Sequence, residues 1–417
     1  MRSGVYKDQI LIRINADKNA DIFEISKLSD KLMDEGYEES AMNQQFADFI
    51  IPESHFDKIV EYTNKYQTGN IEILHGNVQK LILNQISSLE NSNTFNYSTY
   101  NTFDDINAWT NDFASAYNFV DMYAAGSTYE GRPISALKFS TNPQAENVMI
   151  FNTGFHAREW IGPAHMIYIC ELIADLIAAG DDKTNSLLSK IDLIVIPVAN
   201  PDGYAYTWTN ERNARMFRKT RSENPGAKCF DPALEYGVDP NRNFDAHWAQ
   251  PEGASTNVCS IQYKGPYAES EIEVSSHVKF VTEVAAKYEN VGYADLHNYS
   301  QFWMYPYGYQ VSPQAEDTEL LHSISTDVVN AIQDTYDTKW KYGPIATTVY
   351  VASGSSVDYW YDELGIICAF AVELRDTGKY GFLLPDSEIP LVANEMWNGY
   401  SVLLQAIIDG KCGKRAV

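Results

Sequence analysis

The feature that most constrains this chain is the stretch Phe155-His156-Ala157-Arg158-Glu159-Trp160, which directly follows the apolar run Val148-Met149-Ile150-Phe151. The run is short, β-leaning and closed by Thr153-Gly154, so it predicts a buried strand ending in a turn. His156 and Glu159 then fall three residues apart, where strand gives way to helix. An imidazole and a carboxylate so placed can converge on one ion, and nitrogen with oxygen donors suits Zn2+. The ordinary alternative for an H-x-x-E pair is a surface ion pair. The weight therefore rests on what lies downstream.

A chain of 417 residues has room for two domains, and a 45% hydrophobic content supports a large core. No stretch reads as a membrane span. A net charge of −25 argues against nucleic acid or an anionic membrane as partner and for a soluble chain, expected to be a monomer. Met1 to Asp8 carries charges and no apolar segment, so it does not read as a signal peptide. A removed leader, a truncated product and a cytosolic chain all fit that start. Cys229 and Cys259 lie in Pro-, Gly- and Ser-rich sequence and can staple a surface loop. Cys170 falls in a helical pattern and Cys368 in an apolar strand, so both read as buried thiols, while Cys412 belongs to the tail. One bridge leans towards an oxidising compartment.

Residues 1–90 read as a unit of their own, a small antiparallel α/β sandwich with linker. Strands are expected at Gln9–Ile14, Phe46–Ile51 and Ile71–Leu74. Helices are expected at Asp21–Glu35, closed by Gly36, after a Ser54 cap, and at Val78–Leu89. This unit holds no cluster of His, Cys or paired carboxylates. The polar stretch Glu90-Asn91-Ser92-Asn93 marks the boundary, and 91–417 reads as a larger α/β domain. Apolar strands are expected at Val148–Phe151, Leu193–Val198, Val291–Leu296 and Ile366–Val372. Between them come helices at Pro163–Ala179, Glu269–Lys287, Thr318–Thr335 and Ser387–Asp409. Near-continuous apolar strands imply a sheet covered on both faces, with catalytic groups gathered at the strands' carboxyl ends.

His297 stands at such an end and becomes a third ligand only if the fold brings it beside His156. Two histidines, a glutamate and one open position make a catalytic zinc site rather than a structural one. Glu373 interrupts the apolar strand Phe370–Leu374, where an acid must be paired or functional. A salt bridge to Arg375 or Arg242 and a general base beside a metal are the two readings. Arg158, Arg215, Arg218 and Arg242 are scarce cations in an acidic chain, and together they fit a site for a carboxylate or an oxyanion.

With these residues in view, the chain resembles a zymogen of the metallocarboxypeptidase family, the A/B-type zinc exopeptidases, along nearly its whole length. The blocks that carry the likeness are His156–Trp160, Asn200-Pro201-Asp202-Gly203, Phe217–Arg221 and Gly237–Asn243. Leu296-His297, Tyr305–Gly308, Thr347–Tyr350, Glu373–Gly378 and Tyr380-Gly381-Phe382 follow in the family's order. The resemblance implies a mixed central β-sheet flanked by helices, preceded by a small α/β sandwich prodomain that caps the cleft and inhibits. It makes His156, Glu159 and His297 ligands of one zinc ion, Glu373 the general base acting on water, and Arg218 the group that polarises the scissile carbonyl. Asn241, Arg242 and Tyr350 would hold the terminal carboxylate of a peptide or protein substrate, and Arg158 an adjoining subsite.

The same resemblance pairs Cys229 with Cys259 and implies cis peptide bonds at Asn298–Tyr299, Pro306–Tyr307 and Arg375–Asp376. It also implies a secreted protein opened by an activating protease. Val357 would close the pocket for the departing side chain, with Met304, Ile345, Ala352 and Ala371 as apolar wall, which selects aliphatic or aromatic ends. An inactive binding module would lack one of these groups, and a hydrolase of small amides would not need both the N-terminal unit and the Asn241-Arg242 pair. Between Lys80 and Arg132 there is no Lys or Arg, and Pro133 follows Arg132. Cleavage is therefore expected after Leu89, Glu90, Asn91 or Asn93 rather than by trypsin.

Overall fold

Two sheets organise the molecule. The computed structural model describes residues 6–16, 22–35, 37–42, 46–66, 68–86, 95–211, 214–248 and 250–415. The first sheet contains β1 (Gln9–Asn15), β2 (Glu38–Met42), β3 (Phe46–Pro52) and β4 (Ile71–His75), in the order β2-β3-β1-β4 and antiparallel throughout. The apolar side chains of β1 and β3 (Ile10, Ile12, Ile14, Ala47, Phe49, Ile51) pack with Ile25, Leu28 and Leu32 of the Ile22–Asp34 helix and with Ile59 of the Phe56–Lys65 helix. A helix stripe on one face of a pleated strand pair is enough to make a small core.

Two details of this unit differ from the sequence reading. Glu38–Met42 is a strand that the polar composition of EESAM concealed. Ser54 does not cap a helix: a short 3-10 turn, Glu53–His55, begins at Pro52, and His55 opens the Phe56–Lys65 helix without a side-chain cap. The last helix is described over Val78–Ile86, and its expected end at Leu89 lies outside the described residues. Gly36, the Glu90–Asn93 boundary and the expected cleavage points Leu89, Glu90, Asn91 and Asn93 lie outside the described residues.

The second sheet has eight strands: β5 (Val120–Ser127), β6 (Pro133–Phe139), β7 (Asn147–Thr153), β8 (Ile191–Ile196), β9 (Asn290–Asn298), β10 (Phe302–Tyr305), β11 (Lys341–Pro344) and β12 (Cys368–Leu374). Their order is β11-β10-β12-β9-β7-β8-β6-β5. The middle strands β8, β7, β9 and β12 run parallel, while β6 joins β8 and β10 joins β12 antiparallel, so the sheet is mixed. The parallel centre is what the apolar runs required, because both its faces are covered. The Ile161–Ala178 helix, apolar and long enough to cross a membrane by composition alone, packs inside against β7, β9 and the Ile389–Ile408 helix.

Cys368 corrects the sequence reading. It is not a buried thiol but is bonded to Cys412, tying the start of β12 to the C-terminal tail. Cys229 is bonded to Cys259, and Cys170 is free and buried in its helix.

Candidate metal centre and substrate cleft

The central strands end together, and the chemistry stands at their carboxyl ends. His156 and Glu159 follow β7, and Asn200 follows β8 and caps the Pro201–Thr207 helix. His297 lies near the end of β9, and β12 places Glu373 in register with it. His156 Nδ1 lies 2.8 Å from Glu159 Oε1, and His297 Nδ1 lies 3.0 Å from Glu159 Oε2 and 3.0 Å from His156 Nδ1. All three residues are buried.

Behind each imidazole stands a carboxylate. Asp239 Oδ1 is 3.1 Å from His156 Nε2, and Asp295 Oδ2 is 2.9 Å from His297 Nε2. Each carboxylate fixes Nε2 as the protonated nitrogen and leaves Nδ1 as a lone-pair donor. Two Nδ1 lone pairs and a carboxylate then face one spot, an arrangement that repels itself until a cation lies among them. This donor set, two nitrogens and a carboxylate, fits Zn2+.

Asp239 and Asp295 were not singled out in the sequence, although signals were there. Asp295 sits two residues before His297, on the same face of one strand, and Asp239 opens the Pro240–Arg242 turn. Asp239 also accepts from Asn241 N (3.0 Å), Arg218 Nε (3.0 Å) and Arg218 Nη2 (2.9 Å). Burial works against the Arg218 charge, but Asp239 and Glu159 raise its pKa. Asp295 accepts from Asn152 Nδ2 at 2.8 Å and Ser356 Oγ at 2.6 Å. One acid thus locks a histidine to an arginine, and the other locks a histidine to the sheet.

Glu373 has neither of the pairings weighed for it. Arg375 bonds Glu395 (2.8 and 2.5 Å) and Glu388 (2.9 Å), while Arg242 donates to Asn241 O (2.8 Å) and Tyr350 Oη (3.3 Å). Glu373 Oε2 is buried without a hydrogen-bond partner among the described residues, and loss of solvent around the carboxyl pushes its pKa up to about 8. A carboxylate held without a cation of its own, beside a metal corner, is placed to exchange protons.

Asn241 Oδ1 accepts from Ser356 N at 2.8 Å, which seats the Pro240–Arg242 turn against the Ser356–Glu363 helix. Gly354, at φ 71°, permits this approach, since any Cβ there would strike the Arg242 carbonyl. Val357 is buried in the first turn of that helix, and Met304, Ile345, Ala352 and Ala371 are buried as well. Gly308 is the backbone around which Ile345, Ala352 and Asp358 gather. Asp358, next to Val357, is raised to about 6 by burial, and its two oxygens are taken up by Gly308 N and Tyr309 N at 2.9–3.1 Å.

Arg158 lies over the Phe382 ring at 4.2 Å. Arg215 departs from the sequence reading. It is buried and turned away from the metal corner, stacked on Trp160 at 3.7 Å and donating to Arg158 O, Phe382 O and Gln85 Oε1. The peptide bonds Asn298–Tyr299, Pro306–Tyr307 and Arg375–Asp376 are cis.

The fold and the corner together fit a metal-dependent hydrolase site at the carboxyl ends of the central strands of a mixed sheet. Residues 106–399 match the zinc carboxypeptidase family, peptidase M14. Mouse carboxypeptidase A4 is 37% identical over 98% of this chain and 95% of its own length, and human carboxypeptidase A1 is 40% identical over 78% and 74%. A crystal structure of thrombin activatable fibrinolysis inhibitor superposes with a TM-score of 0.84 at 29% identity, covering 96% of this chain and 99% of that one. Helicoverpa armigera carboxypeptidase A shares the fold, with a TM-score of 0.81 over 97% of this chain and 98% of that one at 24% identity. The chain belongs to the zinc carboxypeptidase family, exopeptidases that hydrolyse C-terminal peptide bonds.

Proposed function

We propose that this chain is a carboxypeptidase zymogen of A-type preference, releasing aliphatic or aromatic residues one at a time from peptide and protein C-termini. The observation that carries the reading is the self-repelling set His156, Glu159 and His297 with Glu373 in register beside it. Those three side chains would hold one zinc ion, which when bound supplies Lewis acidity at the scissile carbonyl. Glu373 takes a proton from the attacking water and returns it to the leaving amine. Arg218, braced by Asp239, stabilises the oxyanion as charge develops on the carbonyl oxygen. Asn241, Arg242 and Tyr350 hold the terminal carboxylate, and Arg158 the next subsite. A planar guanidinium forks onto a carboxylate, which only a chain end offers.

Apolar release is supported by the buried Val357, Ile345, Met304, Ala352 and Ala371 and by the engagement of Asp358 with two backbone amides. Residues 1–90 act as the inhibitory unit and 91–417 as the enzyme. In support, Asp48 accepts from Tyr299 Oη at 2.5 Å, Arg13 donates to Thr377 O at 3.2 Å, and Leu11, Ile50 and Ile82 pack on Tyr299, Phe382 and Leu383. A cleft still runs between Met33 and Tyr37 on one side and Arg158, Arg218, Phe230 and Leu234 on the other. Trypsin is expected to leave the connection intact: Lys80, the basic residue nearest to it on the N-terminal side, lies in the first turn of the Val78–Ile86 helix. The two disulfides support an extracellular location. No nucleic acid or membrane partner is invoked.

Zinc analysis of the cleaved protein, with release assays on blocked dipeptides ending in Phe, Leu or Lys, tests the reading. One zinc per chain and release of Phe or Leu are expected; preferential release of Lys would place an acid in the pocket. Incubation with trypsin and with Asn- or Leu-directed proteases, followed by N-terminal sequencing, tests the activation step. Clean tryptic release of an active domain starting near residue 90 would overturn that part.

A further inference from the structure

Two Asn-Xaa-Ser triplets occur in the chain, Asn96-Tyr97-Ser98 and Asn298-Tyr299-Ser300, and the fold treats them oppositely. Such a triplet is the acceptor signal for an N-linked oligosaccharide in chains that enter the secretory route. Asn298 is buried at the end of β9, its N–H on Glu159 Oε2 (3.4 Å) and its Nδ2 on Gly381 O (3.4 Å), one residue from a metal-corner histidine. A sugar has no room there. Asn96 is half-buried where a surface turn begins, and its Oδ1 accepts from Ser98 N at 2.9 Å, the local loop in which an asparagine folds back on its own backbone. Among the described residues its Nδ2 donates to nothing, it is not among the buried unpartnered atoms, and Ser98 is exposed.

The turn is fixed to the main body. Asn96 O accepts from Thr99 N (3.4 Å), Thr99 Oγ1 (3.2 Å) and Asn101 Nδ2 (3.1 Å), and the preceding Phe95 ring stacks on Trp109 at 5.5 Å.

We propose that Asn96 is a glycosylation site. The transfer forms a bond between Asn96 Nδ2 and the anomeric carbon of an oligosaccharide carried on a lipid pyrophosphate. It breaks that carbon's bond to the phosphate oxygen, and the amide proton leaves with the lipid pyrophosphate. The carbohydrate stays on the enzyme after the N-terminal unit is removed, and it flanks the connection that the activating protease must reach. The proposal rests on the extracellular reading above.

The full chain, placed behind a cleavable leader in a eukaryotic secretory host, tests it on the lumenal, protease-protected product. A single mobility shift reversed by peptide-N-glycosidase is expected, with Asn96 converted to Asp in the released peptide and the glycan on the fragment that contains the metal ligands. Ser98→Ala, which keeps Asn96 and its backbone turn, should abolish the shift, and Ser98→Thr should keep it. A lumenal chain with no shift, or a shift that survives Ser98→Ala, overturns the proposal. A lumenal chain that carries the glycan but never forms Cys229–Cys259 keeps it and counts instead against the extracellular reading.

Discussion

The metal corner and the seam between the two sheets are both built from buried charge, and they settle it differently. In the corner, Asp239 and Asp295 each meet a histidine, and Arg218 meets Asp239. In the seam, Asp48 meets Arg13 at 2.8 Å, yet three residues before Arg218 the buried Arg215 meets no carboxylate among the described residues. Two carbonyls, the Gln85 amide and the Trp160 ring stand in for one, and burial lowers its guanidinium pKa to about 10. Charge answered by charge holds the corner for catalysis. A cation answered by neutral dipoles, one of them from the N-terminal unit, is held by weaker contacts than a paired charge.

That contrast can be broken in four places. The largest effect is expected from Glu373→Gln, which keeps shape and ligands but removes the base: kcat should fall ~10²–10⁴-fold with zinc content unchanged. Turnover near the parent value would remove Glu373 from the mechanism. Asp239→Asn tests whether the corner depends on its supporting acids. Zinc affinity in chelator competition should fall ~10–100-fold, and an unchanged affinity would show that Asp239 holds only the turn.

Gln85→Ala tests the seam. It leaves Arg215 Nε without its acceptor and takes one of two donors from each of the Phe382 and Leu384 carbonyls, in the zymogen only, a loss of roughly 1–2 kcal/mol. The nicked N-terminal unit should be retained ~5–30-fold more weakly, while kcat/KM of the mature enzyme stays the same. A change in the mature enzyme instead would place Gln85 outside the seam.

The smallest effect comes from a buried acid outside both regions. Glu273 is fully buried with one hydrogen-bond partner among the described residues, Tyr129 N at 3.1 Å, and burial raises it from 4.5 to about 7. The folded chain therefore holds a proton that the unfolded chain releases. This group's share of stability is complete below about 4.5 and is lost as pH rises through 7. Glu273→Gln should raise Tm by a few degrees at pH 8, at about 2–4 °C per kcal/mol, and change little at pH 4. A gain that does not depend on pH would mean that burial is not what shifts this carboxyl.

The parallel centre of the large sheet was legible because strands covered on both faces must be apolar end to end. The outer strands were not. β5 is mostly exposed along Asp121–Ala124 and shifts register near Gly126, so it shows neither an apolar run nor a clean alternation. β10 and β11 have four residues each, too few to set a period. The same physics separates the site residues. His156, Glu159 and Glu373 announce themselves as polar groups at the ends of apolar runs, and Asp295 does so two residues before His297. Nothing local shows that Cys368 reaches Cys412, 44 residues on.

By itself, then, the sequence determined the class of sheet, the identity of the metal-corner side chains and the family, since each is written in short apolar runs and fixed spacings. Tertiary structure alone decided which way a side chain faces. Arg215 and Arg218 are three residues apart in one segment, yet Arg215 turns to the seam and Arg218 to the corner, because Gln85 is the partner of one and Asp239 of the other. The two Asn-Xaa-Ser triplets have the same sequence, and only burial separates them. Spacing along a chain fixes local geometry, but the partners that satisfy a buried charge come from far along it.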